Sequence, residues 1–270
     1  MSWISRQFTT RTIVLIPIAI AINIGLGYTV QTVLKLPIYL DSIGTILVGV
    51  LAGPIAGALT GVLSNLIWQL IAGGTIGPFA VTAGVIGLLA GLWGYLGVYR
   101  PRPASRNSLI VAAIIAAVII GVVVLPILNN PAYTDPNIGG YPSWVFTAIV
   151  LIGIIAAVLV AGFILVRRDL AGFWVAVAGV ITGIIAAIVS APITAYVFGG
   201  VTGSGVDVIV AALRQGGSDV LHASLGQGLF SDPIDKTITS FVVFIVLSGL
   251  STRIIARFPN GERLTGEAQS

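Results

Sequence analysis

The sequence predicts an all-α polytopic membrane protein, and three observations carry that prediction. Charged residues make up 8% of the 270 residues, against roughly 25% in a soluble domain. Hydrophobic residues reach 57% and the mean hydropathy is +1.08. That leaves too little polar surface to clothe a water-soluble globule, and too much apolar content for a disordered chain. The apolar residues also fall in long continuous runs, where a membrane β-barrel needs alternation. In hydrocarbon a lone helix satisfies its own backbone N–H and C=O groups, which is why such runs read as helices. Cysteine is absent, so a disulfide framework, a thiol nucleophile and a cysteine-ligated metal are excluded.

A crossing needs about 20 predominantly apolar residues. Candidate segments run 12–33, 42–53, 54–71, 78–98, 108–128, 144–166, 171–198 and 233–256. Arg6 and Arg11 before Ala19-Ile-Ala21 imitate a signal peptide, but the apolar run continues past Leu26, which predicts a retained helix. The stretch 42–71 is either one Pro-kinked helix or two crossings joined at Gly53-Pro54, where Gly ends one helix and Pro opens the next. Charge decides for two crossings. With eight segments and both termini cytoplasmic, the inner side receives Arg6, Arg11, Arg100, Arg102, Arg106, Arg167, Arg168, Arg253, Arg257 and Arg263, and the outer side Lys35, Arg214 and Lys236. One crossing would set Arg100, Arg102 and Arg106 opposite Arg6 and Arg11, against the positive-inside bias. The expectation is a multi-pass protein of the cell membrane. Segment 42–53 is then too short, rising about 18 Å against a core of about 30 Å. A short, Gly/Pro-interrupted segment points to a cavity or binding site, here beside the outer loop 35–42.

Small residues recur at spacings of three and four: Gly49, Gly53, Gly57 and Gly61; Gly84, Gly87, Gly91 and Gly94; Gly179, Gly183, Ala187 and Ala191. Such ladders let helices approach closely where lipid removes any hydrophobic drive between them. The first is broken by Pro54, so its halves are expected to serve different helices. Ala21-xxx-Gly25 packs either inside the bundle or against a partner protein.

Polar residues within spans are costly and therefore informative; Asn23, Gln31, Asn65, Gln69 and Ser190 are the examples. Trp68 and Tyr196 lie at the outward ends of their segments, where aromatic residues anchor at the interface. Asn65 is one turn below Trp68, which offers the alternative that both line a pocket. Trp144, preceded by Tyr141 and Pro142, reads as an interfacial anchor. The outer loop 199–232 begins Gly199-Gly200-Val201-Thr202-Gly203-Ser204-Gly205 and turns amphipathic from Val206, with Ser204 and Asp207 spaced like a capping pair. Its short helices form either a lid or a passive interfacial element. His222 has no second ligand at metal-binding spacing. Ser231-Asp232-Pro233-Ile234-Asp235-Lys236 reads as the opening of the last helix, with Asp232 as N-cap and Pro233 at the first position. Lys236 opposes the helix dipole there and needs an anion: Asp41, Asp232, Asp235, or a substrate carboxylate or phosphate.

No Walker motif, Gly-x-Gly-x-x-Gly, Gly-x-Ser-x-Gly or His-Glu-x-x-His occurs. The chain is therefore expected to hydrolyse no nucleotide itself, to be no enzyme, and to need no cofactor or metal. The arginines in short loops orient the protein and imply no nucleic-acid binding.

Leu36-Pro37-Ile38-Tyr39-Leu40-Asp41-Ser42-Ile43-Gly44-Thr45 with Leu51-Ala52-Gly53-Pro54, the stretch Ser190-Ala191-Pro192 through Tyr196 to Gly205, and Ser231 to Lys236 together resemble the substrate-binding S component of an energy-coupling factor (ECF) transporter. The resemblance covers roughly 11–98 and 171–258 of a single membrane domain spanning 1–270. It implies a six-helix bundle that binds a vitamin-like micronutrient near its outer face and works with a membrane-embedded T component and paired ATPases. It also implies toppling in the membrane to release substrate inward, and docking of the T component on small residues of the first helix, here Ala21 and Gly25. The segment 105–168 departs from the family as an inserted transmembrane hairpin, which makes eight helices and offers a contact for another membrane protein or lipid. The expected function is capture of a small polar or anionic micronutrient. Trp68, Tyr39 and Tyr196 would face its apolar parts, and Asn65, Asp41, Asp232, Asp235 and Lys236 its polar ones. The alternative is a membrane receptor or accessory subunit that uses the same bundle for assembly.

Overall fold

A computed structural model describes residues 3–36, 38–128 and 144–266. The loop 129–140, the Tyr141-Pro142 pair and Pro37 lie outside the described residues, as does the Trp144 side chain. The described chain is all-helical, with no strand among its residues. Five helices are long and apolar enough to cross a membrane: Thr10–Val33, Pro54–Ala72, Gly77–Tyr95, Val150–Arg167 and Ala171–Val197. The protein is a membrane-embedded helical bundle.

In order, α1 is Thr10–Gly27, continued by a π-helical turn Tyr28–Val33; α2 is Ile43–Ala52, α3 Pro54–Ala72 and α4 Ala80–Tyr95. The pair α5 (Arg106–Leu128) and α6 (Trp144–Arg167) follows. Next come α7 (Ala171–Pro192) with a π-helical turn Ile193–Val197, then α8 (Asp207–Gln215), α9 (Val220–Gly249), α10 (Thr252–Ile255) and α11 (Gly261–Thr265).

The short helix α2 sits in the middle of the bundle, with only Leu47 of its ten residues not fully buried. At 1.5 Å per residue it rises about 15 Å, so both its ends stop inside protein and their unpaired backbone groups need partners. Side chains from elsewhere supply them. Asn23 of α1 accepts the Gly44 N–H at 2.7 Å. It also donates to Thr45 Oγ1 at 2.8 Å and Ser64 Oγ at 2.9 Å, tying α1 to α2 and α3. At the far end, Asn260 donates its side-chain amide to the Val50 carbonyl at 3.0 Å and its backbone N–H to Leu51 at 2.9 Å. Gln7 Oε1 likewise accepts the Ile55 and Ala56 N–H groups at the start of α3.

The glycine ladders are contact surfaces. A Cβ on Gly91 would stand 2.1 Å from Pro54 N, one on Gly94 2.3 Å from the Val50 carbonyl, and one on Gly87 2.2 Å from Gly57 C. Gly179 and Gly183 of α7 meet the α9 backbone at Thr237 and Pro233 in the same way. Gly49 and Gly57 do not serve different helices: both face Gly87 of α4 and touch each other, because the turn at Gly53 (φ +123°) folds α3 back along α2. The pair α5–α6 packs on α7 and α9 through an aromatic cluster, with Phe163 5.8 Å from Phe241 and 5.3 Å from Phe244 between ring centroids.

The last helix differs from the sequence expectation. It begins thirteen residues earlier, at Val220, and Pro233 lies inside it. Its N-cap is Asp219, whose carboxylate accepts the Leu221 and His222 N–H groups at 2.9 and 3.1 Å. Asp232-Pro233 imitates a helix start, yet the helix continues through it, and Pro233 packs so closely on Gly183 that a Cβ there would stand 2.4 Å from its backbone.

Arginine marks one end of the bundle. Arg11 reaches the Arg257 carbonyl, Arg263 the Tyr95 carbonyl, and the Arg102 N–H donates to Asp169 at 2.7 Å. These contacts gather the ends of α1, α4, α7 and the C-terminal helices.

Candidate functional site

Away from the arginine-rich end the bundle encloses a cavity of about 260 Å³, near the lower end of ligand pockets, which run about 300–1,000 Å³. Its lining comes from the π-helical turn of α1, the 35–42 connection, α3, the 73–79 connection, α4, α7 and its π-helical turn, the 199–205 loop and α9, and, among the described residues, none of it from the inserted pair. Both π-helical turns lie here: the first places Gln31 and Thr32 on the wall, the second Thr194. Such turns re-aim side chains by changing the angular step along a helix, and they recur at functional sites.

Six of the eight substrate-site residues expected from sequence line this cavity together: Tyr39, Asp41, Asn65, Trp68, Asp232 and Lys236. Trp68 is 5% exposed and its ring edge fills the space that a Cβ on Gly27 would need, 2.6 Å from Cζ3. Asn65 is equally buried, and its carboxamide makes no hydrogen bond among the described residues. Asp232 and Lys236 are four apart on α9 and so share a face.

The other two lie elsewhere. Tyr196 is 72% exposed and absent from the wall; it follows the wall residue Thr194 by two positions, which carries it to the far side of its turn. Asp235 is fully buried but also off the wall. Its Oδ1 accepts the Tyr39 and Leu40 N–H groups, each at 2.9 Å, and its Oδ2 accepts a hydrogen bond from Lys236. It thereby holds the 35–42 connection against α9, including Leu40 in a left-handed conformation (φ 51°) that a branched residue rarely adopts. Lys236 also lies 3.6 Å from Asp41 Oδ1, and its Nζ sits 5.6 Å from the Tyr39 ring centroid. The anionic partners offered for Lys236 by sequence are therefore present as Asp235 and Asp41.

Several wall residues were not among the expected substrate contacts. Gln227 donates to Tyr39 Oη at 3.1 Å and to Ser231 Oγ. Gln31 donates to Asp41 Oδ2 at 3.1 Å and to the Tyr39 carbonyl at 3.3 Å. Ser42 and Thr82 are buried on the wall and their hydroxyls have no partner among the described residues. Gln31 and Ser190 stand out as polar residues in apolar runs, but Ser42, Thr82 and Phe79 carry no such signal.

Over the mouth, the 73–76 turn meets the 199–205 loop. Thr75 Oγ1 donates to the Thr202 carbonyl at 2.7 Å and Phe79 stacks on Phe198 at 5.6 Å. Gly73, Gly74, Gly199, Gly200 and Gly203 all have positive φ, which only glycine adopts without strain. Asp207 reaches back from α8 to accept the Thr202 and Gly203 N–H groups at 2.9 and 2.7 Å. Burial pushes its carboxyl above the usual value, against the hydrogen bonds from Thr202 and Gly203. Asp219, by contrast, is held below it by the His222 N–H and ring.

Ala21 and Gly25 are exposed, and a Cβ on Gly25 would meet nothing within 4 Å. Among the described residues this small-residue pair is not used for packing inside the bundle. Among the described residues no cluster of three or more potential metal ligands occurs.

No family model, no curated protein and no solved structure matches the chain.

Proposed function

We propose that this protein is the substrate-capture subunit of an ECF-type importer. It takes a small vitamin-like ligand into the cavity from the outer face, while partner T-component and ATPase subunits supply the energy. The single observation that carries the reading is the cavity itself, where apolar rings (Tyr39, Trp68, Phe79) and polar groups without partners among the described residues (Ser42, Asn65, Thr82) converge. Few polar groups in an apolar recess are the usual design for small-ligand recognition. In this reading the chain crosses the cell membrane eight times. Both of its ends lie with the arginines on the cytoplasmic side, and the cavity opens outward. The exposed Ala21–Gly25 face receives the T component, which suits its open surroundings. The inserted pair α5–α6 covers the α7–α9 flank and, among the described residues, does not enter the cavity.

The test is mass spectrometry of small molecules released from the purified protein, compared with the Asn65→Ala and Lys236→Ala variants. A molecule retained by the parent protein and reduced at least tenfold in both folded variants supports the reading. The same yield in all three proteins rejects this cavity as its site. Co-purification with an ATPase and a T-type subunit, lost in a Gly25→Leu variant, tests the assembly.

A further inference from the structure

Acidic groups outnumber basic ones at the cavity. Three carboxylates, Asp41, Asp232 and Asp235, surround one ammonium, Lys236, which is committed to Asp235 and lies 3.6 Å from Asp41. The other two cations toward this end, Lys35 and Arg214, are exposed and off the wall. Among the described residues Asp232 is left with Ser231 Oγ at 3.5 Å as its one hydrogen-bond donor, although it is 5% exposed and lines the cavity. Independently, the hydroxyls of Ser42 and Thr82 are buried on the same wall without partners among the described residues. An uncompensated carboxylate inside a bundle is costly unless a counter-charge arrives. Trp68 presents an aromatic surface on the wall, of the kind that attracts organic cations.

Resting on the capture function above, we propose that the ligand is a small organic cation. Its ammonium or cationic ring nitrogen pairs with Asp232, its apolar body lies against Trp68, and its polar substituents meet Asn65, Ser42 and Thr82. This reverses the anionic alternative that Lys236 suggests by itself, because Lys236 is already neutralised by its own neighbours.

Three probes of matched size test the assignment by their effect on tryptophan emission of the purified full chain: phenethylammonium, 2-phenylethanol and 3-phenylpropionate. Trp68→Phe serves as the control that the signal comes from the cavity. The expected result is saturable, Trp68-dependent binding of the ammonium at least tenfold tighter than either other probe. That preference should fall at least tenfold in Asp232→Asn, whose near-identical shape preserves packing. Equal or tighter Trp68-dependent binding of the alcohol or the carboxylate overturns the charge assignment and leaves the capture reading standing. Retained ammonium preference in Asp232→Asn overturns the role given to that residue. No Trp68-dependent binding of any probe overturns the reading of the cavity as a ligand pocket, and this proposal with it.

Discussion

Asn23 and Asp235 show what a buried polar residue does when a helix ends inside a bundle. Each accepts backbone N–H groups that neither water nor lipid could satisfy. Asn23→Ala leaves the Gly44 N–H and two hydroxyls without their partner; the expected cost is about 1–3 kcal/mol, read as a lower unfolding temperature in detergent. Asp235→Ala also takes the nearer carboxylate from the buried Lys236 ammonium, leaving it Asp41 at 3.6 Å, and the expected loss is about 3–5 kcal/mol. Asn65 is the contrast. It has no intramolecular hydrogen bond to lose, so Asn65→Ala should leave the unfolding temperature nearly unchanged while weakening ligand retention. A matching fall in stability would make Asn65 a structural residue. At this scale the sequence is a good guide to which residues are out of place in lipid and a poor one to their duties. Asp232 and Asp235 look equivalent in the string, and only the four-residue spacing to Lys236 puts Asp232 on the wall and turns Asp235 toward the 35–42 connection.

Among the elements, glycine separates internal contact surfaces from free ones. Gly91→Ala would drive a methyl group into the Pro54 backbone at 2.1 Å; backbone cannot swing aside, so we predict a large loss of folded protein. Gly25→Leu, facing open space, should fold like the parent and lose only partner docking. Comparable destabilisation in both variants would mean that the two ladders are not distinguished in this way. The mouth makes a second prediction: Thr75→Val removes the hydrogen bond to the Thr202 carbonyl, and a bound ligand should dissociate several-fold faster with little change in stability. An unchanged release rate would demote the 73–76 and 199–205 segments from lid to passive rim. Most helix boundaries were legible, because apolar runs ended by Gly, Pro or Arg leave few alternatives. The start of α9 was not. Residues 220–232 are too polar to read as a span, and Asp232-Pro233 carries the local chemistry of a helix start; only tertiary contact with Gly183 shows the helix passing through.

For the whole molecule, the distribution of charge ties architecture to orientation. Arginines collect where α1, α4, α7 and the C-terminal helices end together, and the cavity lies away from them. The sequence pointed to a cavity or binding site because the twelve-residue segment 42–53 is too short to span hydrocarbon unaided. The cavity's chemical character did not follow, because charge balance depends on which carboxylates the fold brings beside Lys236. The inserted pair illustrates the same limit: its helices were plain, but that it packs against α7 and α9 required the tertiary contacts, those of Phe163 with Phe241 and Phe244 among them. The central claim, a recess shaped for a small guest, is tested most directly by an experimental density map of the protein purified from its native membrane. The account predicts non-protein density in contact with Trp68, Asn65 and Asp232. Side chains of the protein itself filling that volume would contradict it.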